Sequence, residues 1–266
     1  MHTLSHCLEC TLPTMHVTYD PGTGGDSIAE NTMHSVEKDH SVERHYIVSY
    51  LALRNTIGWV GLLMPLAVRG GGLLLEGIRT TDSISAYYYT SMRDIFVGAT
   101  VLTGALLACY RTPRLLDNIV ATVAGLAAIG AALFPMDPTY AAELLARYPD
   151  LGTQAHYSNH GILGYHLLFA ITFAALSFYL VFFRFGAATP PDNLQALRRK
   201  AVYKVCGAVM LLSFGAIAFM GLALEGQSVF WPETCAVAAF GVAWLVNGQT
   251  FLKDAPPGAA QPSLHR

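Results

Sequence analysis

The stretch that decides the fold is Leu115-Leu-Asp-Asn-Ile-Val-Ala-Thr-Val-Ala-Gly-Leu-Ala-Ala-Ile-Gly-Ala-Ala-Leu-Phe134, closed by Pro135. Crossing a bilayer core of about 30 Å takes about 20 mostly apolar residues in a helix, and this run has that length. It is also rich in small residues: Ala121, Ala124, Gly125, Ala128, Gly130, Ala131 and Ala132. Lipid supplies no hydrophobic drive between helices, so membrane helices associate by close approach of such surfaces. A central position in a transmembrane bundle is therefore expected for it.

Working outward, five more runs of this kind appear: Tyr46–Val68, Ala86–Tyr110 (apolar from Ile95), Gly161–Phe185, Ala201–Leu224 and Val229–Leu252. Runs this long and unbroken are helical, because barrel strands alternate over about ten residues. The composition agrees. Of 266 residues, 53% are hydrophobic and 13% charged, against about 25% charged in an ordinary soluble domain. The expected fold is an all-α polytopic bundle of about six spans. Residues 1–45 read as a disordered polar arm, 46–253 as the transmembrane domain and 254–266 as a short disordered tail.

Lys and Arg counts in short loops orient such a chain. One side collects Lys38, Arg44, Arg111, Arg114, Arg184, Arg198, Arg199, Lys200, Lys204, Lys253 and Arg266, the other only Arg69, Arg79, Arg93 and Arg147. Both termini are thus expected in the cytoplasm. The location implied is the cell membrane, and the inner membrane if the source is Gram-negative. The net charge of -2 and the lack of a basic run argue against nucleic acid as a partner. Membrane lipids and a small hydrophobic ligand are the expected partners; the oligomeric state is left open.

The five cysteines, Cys7, Cys10, Cys109, Cys206 and Cys235, are scattered and odd in number, which is no disulfide framework. Gly70-Gly71-Gly72 reads as a loop after the first span. Ser91, Gly98 and Ala105, at heptad spacing, read as a packing face of the second span.

Polar residues concentrate on the outer side. Ser83-Ile-Ser-Ala-Tyr-Tyr-Tyr-Thr-Ser-Met-Arg93-Asp94 leads into the second span. In one α-helix Tyr87, Ser91 and Asp94 share a face, and Tyr89 and Arg93 the next. Tyr87, Tyr88, Tyr89, Arg93, Asp94, Asp137 and Glu233 are the candidate lining of an outer ligand pocket; an interfacial aromatic belt is the plainer reading. His156 and His160, four residues apart, have the spacing of two ligands to one metal ion, with Asp94 as a possible third. A metal-dependent hydrolase acting at the outer leaflet is one alternative function; a transporter or haem protein, through His166, is another. Arg54, Asp117 and Asn247 are expected to form a structural polar cluster on the cytoplasmic side, because an unpaired charge at the bilayer centre costs at least about 2.5 kcal/mol.

Ser-Ala-Tyr-Tyr-Tyr-Thr-Ser-Met-Arg-Asp-Ile-Phe-Val-Gly at 85–98, Val-Tyr-Lys-Val-Cys-Gly at 202–207 and Phe-Trp-Pro-Glu-Thr-Cys-Ala-Val-Ala-Ala-Phe-Gly-Val-Ala-Trp-Leu-Val at 230–246 resemble a family of uncharacterised bacterial six-helix membrane proteins. The resemblance covers roughly residues 45–253. It implies a six-helix membrane protein and brings no catalytic assignment. The alkaline ceramidase and adiponectin-receptor superfamily of zinc membrane hydrolases has seven spans, one more than is read here, and no ligand set carries over from it.

Overall fold

The computed structural model describes residues 25–136, 144, 146, 164–187, 194–224 and 227–253. The chain divides into two units, residues 1–47 and 48–266. In order, the elements are α1 (Gly25–Glu76), a 3-10 helix (Ile84–Tyr89), α2 (Arg93–Cys109), α3 (Leu115–Leu133), α4 (Tyr165–Tyr179) continued by a wider i→i+5 turn (Leu180–Phe185), α5 (Leu194–Ala223) and α6 (Phe230–Asn247). No strand occurs among the described residues.

Four of these helical segments are long and apolar enough to cross a membrane: Ser49–Glu76, Leu115–Leu133, Tyr165–Phe185 and Leu194–Ala223. Their outward faces are leucine-rich, with Leu222 90% and Leu74 84% exposed. Apolar patches of this kind are not left to water. Helices α2, with 17 residues, and α6, with 18, are shorter.

Where the structure departs from the sequence reading, the causes are local. Helix α1 begins at Gly25, inside the stretch read as a disordered arm. No proline or glycine interrupts the chain from Asp26 to Ile57, and Asp26 and Glu30 suit a helix start. At its other end α1 runs through Gly70-Gly71-Gly72 instead of breaking there. A Cβ on Gly72 would lie 2.9 Å from the Tyr87 ring, and one on Gly71 would collide with Met92, so these glycines let the helix touch the next segment. The stop comes at Gly77, whose φ of 70° is a left-handed conformation glycine adopts freely. Its N–H returns to the Leu73 carbonyl, a glycine C-cap.

The second span is not one helix from Ala86. The 3-10 segment ends at Tyr89, and α2 starts only at Arg93. The shared faces expected for Tyr87, Ser91 and Asp94, and for Tyr89 and Arg93, therefore do not form. The expected packing face is also displaced. Ser91, Gly98 and Ala105 are all exposed, and a Cβ on Gly98 would meet nothing within 4 Å. The close approach of α2 to α3 is made by Gly104 and Gly125 instead. A Cβ on Gly104 would sit 2.5 Å from the Gly125 carbonyl oxygen, and one on Gly125 2.8 Å from Ala108 N.

Helix α3 packs between α2 and α4, its small residues buried as expected; a Cβ on Gly130 would meet the Phe169 ring at 2.6 Å. The aromatic hub, however, belongs to α6. Trp244, fully buried, makes edge contacts with Tyr110 at 4.9 Å and Phe185 at 5.0 Å between ring centroids. Edge-to-face pairs at such distances contribute roughly 0.5–1.5 kcal/mol beyond their burial. Helix α1 reaches α6 through Gly58 and Gly241, where a Cβ on Gly241 would be 2.7 Å from the Gly58 carbonyl oxygen.

Arg54, Asp117 and Asn247, expected as one cluster, have the following partners. Arg54 donates to the Asn247 carbonyl at 2.9 Å and lies over the Tyr50 ring at 4.2 Å. Asp117 belongs to a different partner, Arg184, through Nε–Oδ1 at 2.7 Å and Nη2–Oδ2 at 3.0 Å. The wide turn Leu180–Phe185 carries Arg184. An i→i+5 turn shifts the facing of the residues after it, a frequent device at special positions in helices.

Candidate functional site

Polar side chains of four elements meet near the ends of α1, α3, α4 and α6, around the 3-10 helix. Sequence explains how the segment is held. Ser83 caps the 3-10 helix by accepting the Ala86 N–H at 3.1 Å. Glu233, in the first turn of α6, accepts the Ile84 N–H at 2.6 Å. Ser228 donates to the Thr81 carbonyl at 3.1 Å, and Val229 N–H to the Asp82 carbonyl at 2.7 Å. The α1 connection is thereby stitched to the start of α6. At the other end, Glu76 accepts the Ser91 N–H at 2.7 Å just before α2.

The three tyrosines are interior, not a rim. Tyr87, Tyr88 and Tyr89 are buried in a second apolar core with Val68, Phe96 and Phe230, so they form neither an exposed belt nor an open pocket wall. Tyr87 stands edge-on to Phe230 at 6.1 Å. The Tyr89 hydroxyl donates to the Met136 carbonyl at 2.5 Å. Arg93 lies over the Tyr88 ring at 5.1 Å, a cation–π contact. Asp94 is exposed in the first turn of α2. Of the pocket candidates, Tyr87, Tyr88, Tyr89, Arg93 and Glu233 are thus brought to one end of the fold, while Asp94 points outward.

Asp137, His156 and His160 lie outside the described residues. Among the described residues, no group of three His, Cys, Asp or Glu side chains comes together as a metal ion would need.

His166 is the residue whose surroundings the sequence did not reveal. It sits in the first turn of α4, buried, with Nδ1 2.9 Å from the Ala131 carbonyl oxygen and 2.8 Å from that of Phe134. Carbonyl oxygens only accept, so Nδ1 carries the proton. In the neutral ring Nε2 is then an acceptor, and Ser85 Oγ lies 3.0 Å from it. Both ring nitrogens thus have partners among the described residues. No spacing in the sequence links Ser85 to His166; only the packing of α4 on the end of α3 does.

A second feature absent from the sequence reading is Arg69. Its guanidinium lies 5.5 Å from the centroid of the Trp231 ring. Its Nε is buried with no hydrogen-bond partner among the described residues.

Comparison with protein-family models, curated proteins and solved structures finds no match for this chain. The fold and the site geometry therefore carry the functional argument by themselves.

Proposed function

We propose that the chain is a six-span integral protein of the cell membrane, with both termini in the cytoplasm, that binds a lipid or small amphiphile at its outer end. The unequal distribution of Lys and Arg supports this orientation. The short α2 rises about 26 Å, and the 3-10 segment before it adds the remaining depth of a span.

The observation that carries the ligand reading is the buried Arg69 Nε, which has no hydrogen-bond partner among the described residues. A buried donor without an acceptor costs about 1–3 kcal/mol, and a ligand oxygen would remove that cost. Leu66 and Leu73 stand at i−3 and i+4 from Arg69, hence on its face of α1. Both are exposed and offer an apolar track for an acyl chain.

The test is native mass spectrometry of the protein purified in mild detergent. Wild type is expected to retain an oxygen-rich lipid, and Arg69→Ala to lose it. Retention of the same lipid by Arg69→Ala removes the basis of the reading.

A further inference from the structure

We propose that Ser85 is an activated nucleophile, with His166 as its general base, and that the protein cleaves a carboxylic ester of a membrane-associated substrate. The juxtaposition is Ser85 Oγ at 3.0 Å from His166 Nε2, with Nδ1–H of the same ring anchored on the Ala131 and Phe134 carbonyls. A serine is a weak nucleophile unless a base within hydrogen-bond reach takes its proton, and the base must itself be oriented by a third group. Both conditions are met. The carbonyls fix the tautomer that leaves Nε2 free to accept.

Two further observations separate this arrangement from a merely satisfied core histidine. From Ser83 to Thr90 every residue is buried except Ser85, which is partly exposed. The one residue in that stretch that is not fully buried is therefore the one that faces the histidine. The segment is also rigid around it. The Ile84 N–H is held by Glu233, the Ala86 N–H by Ser83, and the Tyr89 hydroxyl donates to the Met136 carbonyl. Reactive groups work best when locked on a rigid element.

The chemistry balances with water as the second reactant. Ser85 Oγ attacks the acyl carbon while its proton passes to His166 Nε2. The ester C–O bond breaks, and the leaving alcohol takes the proton from Nε2. Water then attacks the acyl-serine, passing its proton by the same route, and releases the carboxylic acid with Ser85 restored. Among the described residues, the groups within hydrogen-bond reach of the ring are the two carbonyls and the Ser85 hydroxyl, which is the reach that proton transfer to a general base requires.

The inference is independent of the Arg69 site, since lipid retention and covalent reaction are read by different measurements. The test treats the full-length protein in detergent with a fluorophosphonate, whose phosphorus bonds to an activated serine oxygen as fluoride leaves. The expected result is one phosphonyl group per chain, mapped by peptide mass spectrometry to the fragment holding Ser85 and absent from Ser85→Ala. His166→Gln, which keeps a donor for the two carbonyls, is expected to slow the reaction about 100-fold. Because the labelled site is mapped in wild type, the result does not hang on the folding of a variant. Absence of a phosphonyl group on Ser85 in the folded wild type overturns the proposal, as does a His166→Gln rate equal to wild type.

Discussion

Arg184 grips Asp117 with two parallel bonds, Nε to Oδ1 at 2.7 Å and Nη2 to Oδ2 at 3.0 Å, joining the wide turn after α4 to the start of α3. Their side chains are only 16% and 10% exposed. A two-pronged pair in this setting is stronger than a surface salt bridge. Removing one partner strands the other charge. Asp117→Ala is expected to lower stability by about 2–3 kcal/mol, and Asp117→Asn by less, since it keeps an acceptor. Thermal unfolding in detergent measures both. In a double-mutant cycle with Arg184→Ala, the losses should be far from additive; simple additivity would show that the pair does not couple the two helices.

The contact of α2 with α3 depends on two glycines meeting. Gly125→Ala forces a methyl against the Gly104 backbone and Ala108, where neither side can yield by rotating a side chain. Overpacking of this kind costs about 1–3 kcal/mol. Gly98→Ala, in open space on the same helix as Gly104, should be neutral or stabilising by a few tenths of a kcal/mol up to roughly 1 kcal/mol. Equal melting temperatures for the two variants would refute the packing face assigned here.

Glu233 reaches from α6 to the Ile84 N–H. Glu233→Ala leaves that amide without its acceptor, at a cost of about 1–3 kcal/mol. Glu233→Gln retains an oxygen and should lose less. Hydrogen exchange localises the effect. The Ile84–Tyr89 segment should exchange faster in Glu233→Ala, with α3 unchanged. Uniform acceleration over the whole chain would instead mean global destabilisation.

The proposed orientation puts Arg79 outside and Arg114 inside, and both are exposed. With Cys7, Cys10, Cys109, Cys206 and Cys235 replaced by serine or alanine, a cysteine at each position can be probed in intact cells. A membrane-impermeant maleimide should label Arg79→Cys and reach Arg114→Cys only after lysis. Labelling of Arg114→Cys in intact cells contradicts the six-span orientation.

The sequence by itself determined the class of the fold. Unbroken apolar runs and the scarcity of charge demand helices, since their backbone bonds are made within each segment. It also determined that α3 would be buried by small residues, because Ala121, Ala124, Gly125 and Ala128 repeat at helical spacing. What it could not fix were pairings between distant segments. Asp117 was expected beside Arg54, and the wide turn at Leu180–Phe185 brings it Arg184 instead. The tyrosine run had the composition of a surface belt, yet the 3-10 winding and the glycines of α1 drew it inside. Ser85 and His166, eighty-one residues apart, carry no mark of one another in the chain. Periodicity reports which face of a helix is apolar; which neighbour covers that face, and which polar atoms then meet, is set by tertiary packing alone.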